Sequence, residues 1–184
     1  MGAAELTSPT IRNRRAPARV LPGGELVVAL GAVWLLTAIG GLIGLLAPGL
    51  AAGDRLHPTL HGSVTDVVSI LATNLRLLSV PFVLALLGFH RSHRTRAFGD
   101  LLVGGVVTVN CVRVGLALGR YSTRLIPFIP QLPVEWLALA LSTSAWISAR
   151  HGAQPRALRT LALPTFLAAA TAAGIEALLT PRAR

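Results

Sequence analysis

The sequence predicts an all-α fold: a polytopic transmembrane helix bundle of about five membrane-spanning helices. Three observations predict it. The chain has 184 residues, of which 53% are hydrophobic and only 13% charged, a balance too apolar for an ordinary water-soluble domain. Its apolar residues gather into five long runs, at 25–47, 64–89, 98–119, 133–149 and 160–179, close to or above the roughly 20 residues that cross a hydrocarbon core. Arg76 stands in the middle of the second run. A charge at that depth costs about 2.5–3.5 kcal/mol even on the most forgiving insertion scale, so Arg76 is expected to face a bundle interior and to have a partner there.

Taken in order, residues 1–22 form a basic tail with Arg12, Arg14, Arg15 and Arg19. Its composition predicts disorder or a place on anionic headgroups. No A-x-A-like cleavage site closes the first run, which therefore reads as a retained signal anchor. Residues 23–181 read as one transmembrane helical domain. The loop 47–63 is rich in Pro and Gly and irregular. Pro81 and Pro164 fall inside the second and fifth spans, where they should kink the helix. The fourth run is short and should stand upright or begin in the interface. Gly40-x-x-x-Gly44 in the first span and Gly115-x-x-x-Gly119 in the third fit the small-xxx-small pattern of close helix contact. Cys111 is the single cysteine, so it makes no internal disulfide and reads as a small packed residue.

All 17 basic residues are Arg, which reads as GC-rich coding. Five spans put the four Arg of the tail, Arg91, Arg94 and Arg96, and Arg150, Arg156 and Arg159 on one side, ten in all. Arg55, Arg120, Arg124, Arg182 and Arg184 fall on the other. The excess predicts a multi-pass protein of the plasma membrane with a cytoplasmic N-terminus and an extracellular C-terminus.

A rise of 1.5 Å per residue then gives depths. Asn74, Arg76, Asn110, Arg113, Gln131, Glu135 and Glu176 all fall between the midplane and the outer surface. Three arrangements fit: Arg76 and Arg113 pair with Glu135 and Glu176 and lock the bundle; a water-accessible cavity binds a substrate segment or partner helix; or the two carboxylates act as acid and base. The outer loop holds Asp54, His57 and His61, with Asp66 beyond, but Pro58 keeps the stretch from being a helix, and the histidines read as solvated. His90 and His93 read as interfacial. No metal site, no cofactor motif and no hydrolase, zinc-protease or phosphate-loop signature is found. The arginines serve topology, so nucleic acid is no partner; the lipid bilayer is.

The stretch Pro130-Gln-Leu-Pro-Val-Glu135 resembles the Pro-His-Gly-x-x-Glu motif of the stage II sporulation protein M family. Ala173-Gly-Ile-Glu-Ala-Leu-Leu-Thr-Pro181 resembles the family's closing Ala-x-x-Glu-Ala-x-x-Thr-Pro, and Thr73-Asn-Leu-Arg76 its Asn-Asn-x-Arg-like stretch. Asn110 falls where the family carries Asn-Gly. The similarity covers 64–181. Asn74, Asn110, Glu135 and Glu176 match, whereas Gln131 stands at the family's His, Leu132 at its Gly, and Cys111 at the Gly after Asn110. The resemblance implies a five-to-six-helix membrane protein with no established chemistry of its own. It acts as a scaffold or accessory subunit beside other membrane proteins encoded nearby, in cell-envelope remodelling or in maturation or export of a peptide such as a bacteriocin. A membrane-embedded enzyme acting on a peptide substrate, and a small transporter, are the alternatives.

Overall fold

The computed structural model describes residues 23–51, 64–122, 125 and 129–179. The described chain is helical: α1 (Gly23–Leu46), α2 (Val64–Leu86), α3 (His93–Tyr121), α4 (Leu132–Arg150) and α5 (Pro155–Leu179), with a short 3-10 turn at Pro48–Ala51. Four of these are long and apolar enough to cross a membrane: α1, α2 from Val67, α3, and α5 to Leu178. The remaining helix, α4, has 19 residues and at 1.5 Å per residue is about 28 Å long.

The reason α4 is less apolar than the others lies in its position. It packs against α1, α2, α3 and α5 in turn. Twelve of its residues are buried, among them Trp136, Leu139, Ser142, Ser144, Ala145, Trp146 and Ser148. A helix walled in by its neighbours meets little lipid, so it can carry serines; the Ser148 Oγ is buried without a partner among the described residues, and the other two find carbonyls. Ser144 Oγ donates to the Leu141 carbonyl at 2.8 Å, and Ser142 Oγ to the Leu78 carbonyl of α2 at 2.6 Å. That second acceptor lies one residue beyond the Leu77 carbonyl, which the ring of Pro81 deprives of its helical donor. The shortest apolar run of the sequence is thus the axle of the bundle.

The α1–α3 pair is held by glycines. A Cβ on Gly40 would stand 2.6 Å from the Val112 carbonyl oxygen and 2.9 Å from the Val112 Cα. A Cβ on Gly115 would run into the Thr37 carbonyl, and one on Gly119 into the Gly41 carbonyl. Both four-residue glycine pairs of the sequence therefore meet each other, in parallel register and backbone to backbone, with van der Waals contact as the force. Cys111 lies fully buried on α3, four residues before Gly115, and the Thr37 hydroxyl of α1 donates to the Val33 carbonyl of its own helix at 2.8 Å.

The two helix-to-helix turns at one end of the bundle share a design. Gly88 (φ 77°) and Gly152 (φ 80°) close α2 and α4 in left-handed backbone. Each follows the Schellman pattern, with Gly88 N–H on the Ala85 carbonyl and Phe89 N–H on Leu84, and with Gly152 N–H on Ala149 and Ala153 N–H on Ser148. Ser92 then caps α3, its Oγ accepting from the Thr95 N–H at 3.2 Å. The same end carries a polar clamp: Asp100 Oδ1 accepts from Trp146 Nε1 at 2.9 Å and lies 3.3 Å from Arg150 Nη1. His151 Nδ1 stands 3.5 Å from Glu25 Oε1. Gly99 leaves room for the Trp146 ring, which a Cβ there would strike. Polar and charged contacts at this end tie α1, α3 and α4 where water and headgroups reach them.

Candidate functional site

Towards the other end, α2, α3, α4 and α5 surround a cavity of about 110 Å³. Its polar lining comes from Asn74, Asn110 and Glu135, and its apolar lining from Leu77, Leu78, Val114, Trp136, Leu139 and their neighbours. Each polar group arrives by a simple local rule. Asn74 lies on the side of α2 that faces α4, four residues before the buried Leu78. Asn110 precedes the buried Cys111 on α3, and its Nδ2 donates to the Val106 carbonyl at 2.7 Å, which fixes the amide against its own helix. Glu135 sits in the first turn of α4, beside Trp136, where the helix dipole favours a negative charge.

Asn74, Asn110 and Glu135 face the cavity from three different helices. The indole Nε1 of Trp136 is buried and has no hydrogen-bond partner among the described residues. With Asn110 Nδ2 engaged on its own helix, the two amide carbonyl oxygens and the Glu135 carboxyl group are acceptors, and the Asn74 amide and the Trp136 N–H are donors. A cavity of about 150 Å³ is enough to take benzene, so this one accommodates a single small polar group and not a stretch of chain.

The structure brings together three of the seven polar residues singled out from the sequence, Asn74, Asn110 and Glu135 in the cavity wall, while Glu176 is half-buried on α5 and does not line the cavity. Gln131 is buried at the head of α4, 7% exposed, with its Oε1 unpartnered among the described residues, and it does not line the cavity. The two arginines are elsewhere. Arg76 is exposed, and among the described residues its guanidinium has no carboxylate within ion-pairing distance. The expected inward-facing, paired Arg76 is corrected by helix geometry. Residues two apart are turned by about 200° at 3.6 residues per turn, so an inward Asn74 sends Arg76 outward. Arg113 also has an exposed side chain, although it is not without a partner.

Among the described residues, no group of three His, Cys, Asp or Glu is placed to hold a metal ion. Asp54, His57 and His61 lie outside the described residues, as do the tail 1–22 and residues 180–184. Trp136 was not anticipated from the sequence, although a tryptophan directly after a membrane-embedded glutamate is a signal that could have marked it. The Asp100–Trp146 pair had no such signal, because its partners are separated by 46 positions in the chain.

No protein-family model, no curated protein and no solved structure matches this chain. Its function is therefore argued from its own residues.

Proposed function

We propose that this protein is an integral-membrane accessory subunit of a multiprotein complex, and that its cavity receives the cationic end of a side chain or terminus from a peptide the complex handles. The observation that carries this reading is the convergence of Asn74, Asn110 and Glu135 on one small cavity within the bundle. The acceptors outnumber the donors. An ammonium group, with three N–H donors and no acceptor, suits the two amide oxygens and the Glu135 carboxylate. The likeness of 64–181 to the stage II sporulation protein M family supports the subunit role, and with it peptide maturation, export or envelope remodelling as the setting. Orientation with the N-terminus in the cytoplasm follows from the arginine excess and opens this end of the bundle to the outer face.

The carboxyl group of Glu135 in the cavity wall favours a second reading, a membrane-embedded enzyme or enzyme subunit acting on the same peptide. One experiment separates the readings. A fluorescent apolar peptide with a single lysine is titrated into the protein in lipid nanodiscs, beside the same peptide with norleucine. The subunit reading expects the lysine peptide to bind about tenfold or more tighter, an advantage lost in Glu135→Gln, and the peptide to be recovered unchanged. Equal binding of both peptides contradicts the cavity's role; a cleaved or modified peptide favours the enzyme.

A further inference from the structure

The exposed faces of the membrane-spanning helices differ in kind. On α1 the exposed residues are large and aliphatic, with Val27, Leu35, Leu42 and Leu46 between 58% and 74% exposed, the surface that lipid favours. On α2 the exposed face carries Ser69, Ala72, Arg76, Ser79 and Val83. These follow one another in steps of three and four, the heptad spacing that keeps a seam facing one neighbouring helix. Small and hydroxyl-bearing residues in that spacing are the composition of a helix–helix contact in a membrane.

The hydroxyl of Ser79 is already satisfied, donating to the Arg76 carbonyl at 2.9 Å. The guanidinium at the centre of the seam is not. Arg76 lies about 18 Å from the start of α2 and about 15 Å from its end, while an arginine side chain reaches towards the surface by about one turn, roughly 5 Å. Its five N–H donors stand at a depth where neither water nor headgroups meet them, and no carboxylate of the described chain does either.

Building on the subunit reading, we propose that this seam docks a membrane-spanning helix of a different protein, one that carries a single Asp or Glu near its middle, level with Arg76. The carboxylate forms the bidentate charge-assisted pair that arginine's planar fork favours, and small residues on both sides let the helices approach. A second copy of this chain does not fit. A two-fold axis along the membrane normal would set Arg76 against Arg76 at the same depth, like charges in a low dielectric.

The test places a photo-crosslinking residue at Ala72 in the full-length protein in its native membrane, with Leu101 on the aliphatic exposed face of α3 as control. The crosslinked segment is sequenced. The proposal expects Ala72 to capture one membrane-spanning segment of another protein with Asp or Glu within a turn of the adduct. Arg76→Leu and Arg76→Glu should each cut the yield about tenfold or more, as loss of one member of a desolvated charge pair does. Exchanging the partner's carboxylate for Arg should restore capture by Arg76→Glu. Purified alone, Arg76→Leu should unfold no more readily than the parent, because no ion pair among the described residues is lost. Capture of lipid only, of a second copy, or of a segment without a carboxylate overturns the proposal, as does a yield indifferent to Arg76→Leu or a destabilised isolated variant. Where other proteins are bound but Ala72 captures lipid, the docking proposal fails and the subunit reading stands. A chain that is monomeric in its native membrane fails both.

Discussion

Asn74 and Arg76, two residues apart on α2, face opposite ways: Asn74 turns inward to the cavity that Glu135 also lines, and Arg76 turns out of the bundle. One helix thus serves two surfaces. Its inner side closes a polar cavity and its outer side carries a charge. The consequence for stability is a reversal of the usual expectation for a mid-membrane arginine. Asn74→Leu removes a polar group from the cavity wall and should cost about 1–3 kcal/mol, as leaving buried polar groups without a polar neighbour does, while Arg76→Leu should leave the purified chain as stable or more so. Unfolding of the two variants by denaturing detergent, side by side with the parent, checks the order.

The α1–α3 seam makes a sharper prediction. Gly115→Leu forces a side chain into the backbone of α1 at Thr37 and Gly41 and should destabilise by about 1–3 kcal/mol or prevent folding. Gly104, on the same helix, has open space where its Cβ would be, so Gly104→Leu should be nearly neutral. Thermal unfolding followed by size-exclusion profile distinguishes them. Equal loss in both would mean that α3 tolerates no bulk anywhere and that the seam is not special.

Ser142 makes a hydrogen bond across helices, from α4 to the Leu78 carbonyl. Such bonds in membrane proteins average about 0.6 kcal/mol and reach about 1.7 kcal/mol. Ser142→Ala should fall in that range, towards its upper end because the hydroxyl is fully buried. The same unfolding assay reads it.

Much of the architecture was legible in hydropathy and spacing. The helices lie where the apolar runs are, and the two glycine pairs, Gly40 with Gly44 and Gly115 with Gly119, meet as their spacing suggests. Depth along a helix was legible too, because rise per residue is fixed, and Asn74, Asn110 and Glu135 do converge. Azimuth was read less well. Depth alone puts Asn74 and Arg76 in one interior, although a two-residue step turns a helix by about 200°. The centrality of α4 was hidden because low hydropathy and short length suggest an element at the margin. A helix surrounded by other helices is released from the lipid requirement and can carry serines and tryptophans. The Asp100–Trp146–Arg150 clamp could not be read, since nothing in local sequence says which loop-proximal acid meets which indole.

The arginine distribution predicts the orientation of both ends. With a membrane-impermeant thiol reagent on intact cells, a cysteine at Ser122 should label and a cysteine at His93 should not, Cys111 being buried in the bundle. The opposite pattern would invert the topology and turn the cavity end towards the cytoplasm.

The subunit role itself is most directly measured by the mass and composition of the protein extracted from its native membrane. The tagged chain, 19.2 kDa by itself, is solubilised in a mild detergent, and the particle's protein mass is determined by light scattering, its members by mass spectrometry. A defined assembly is expected, holding at least one other membrane protein at fixed stoichiometry and depleted of that protein by Arg76→Glu. A stable monomer that acts on a peptide unaided would contradict it.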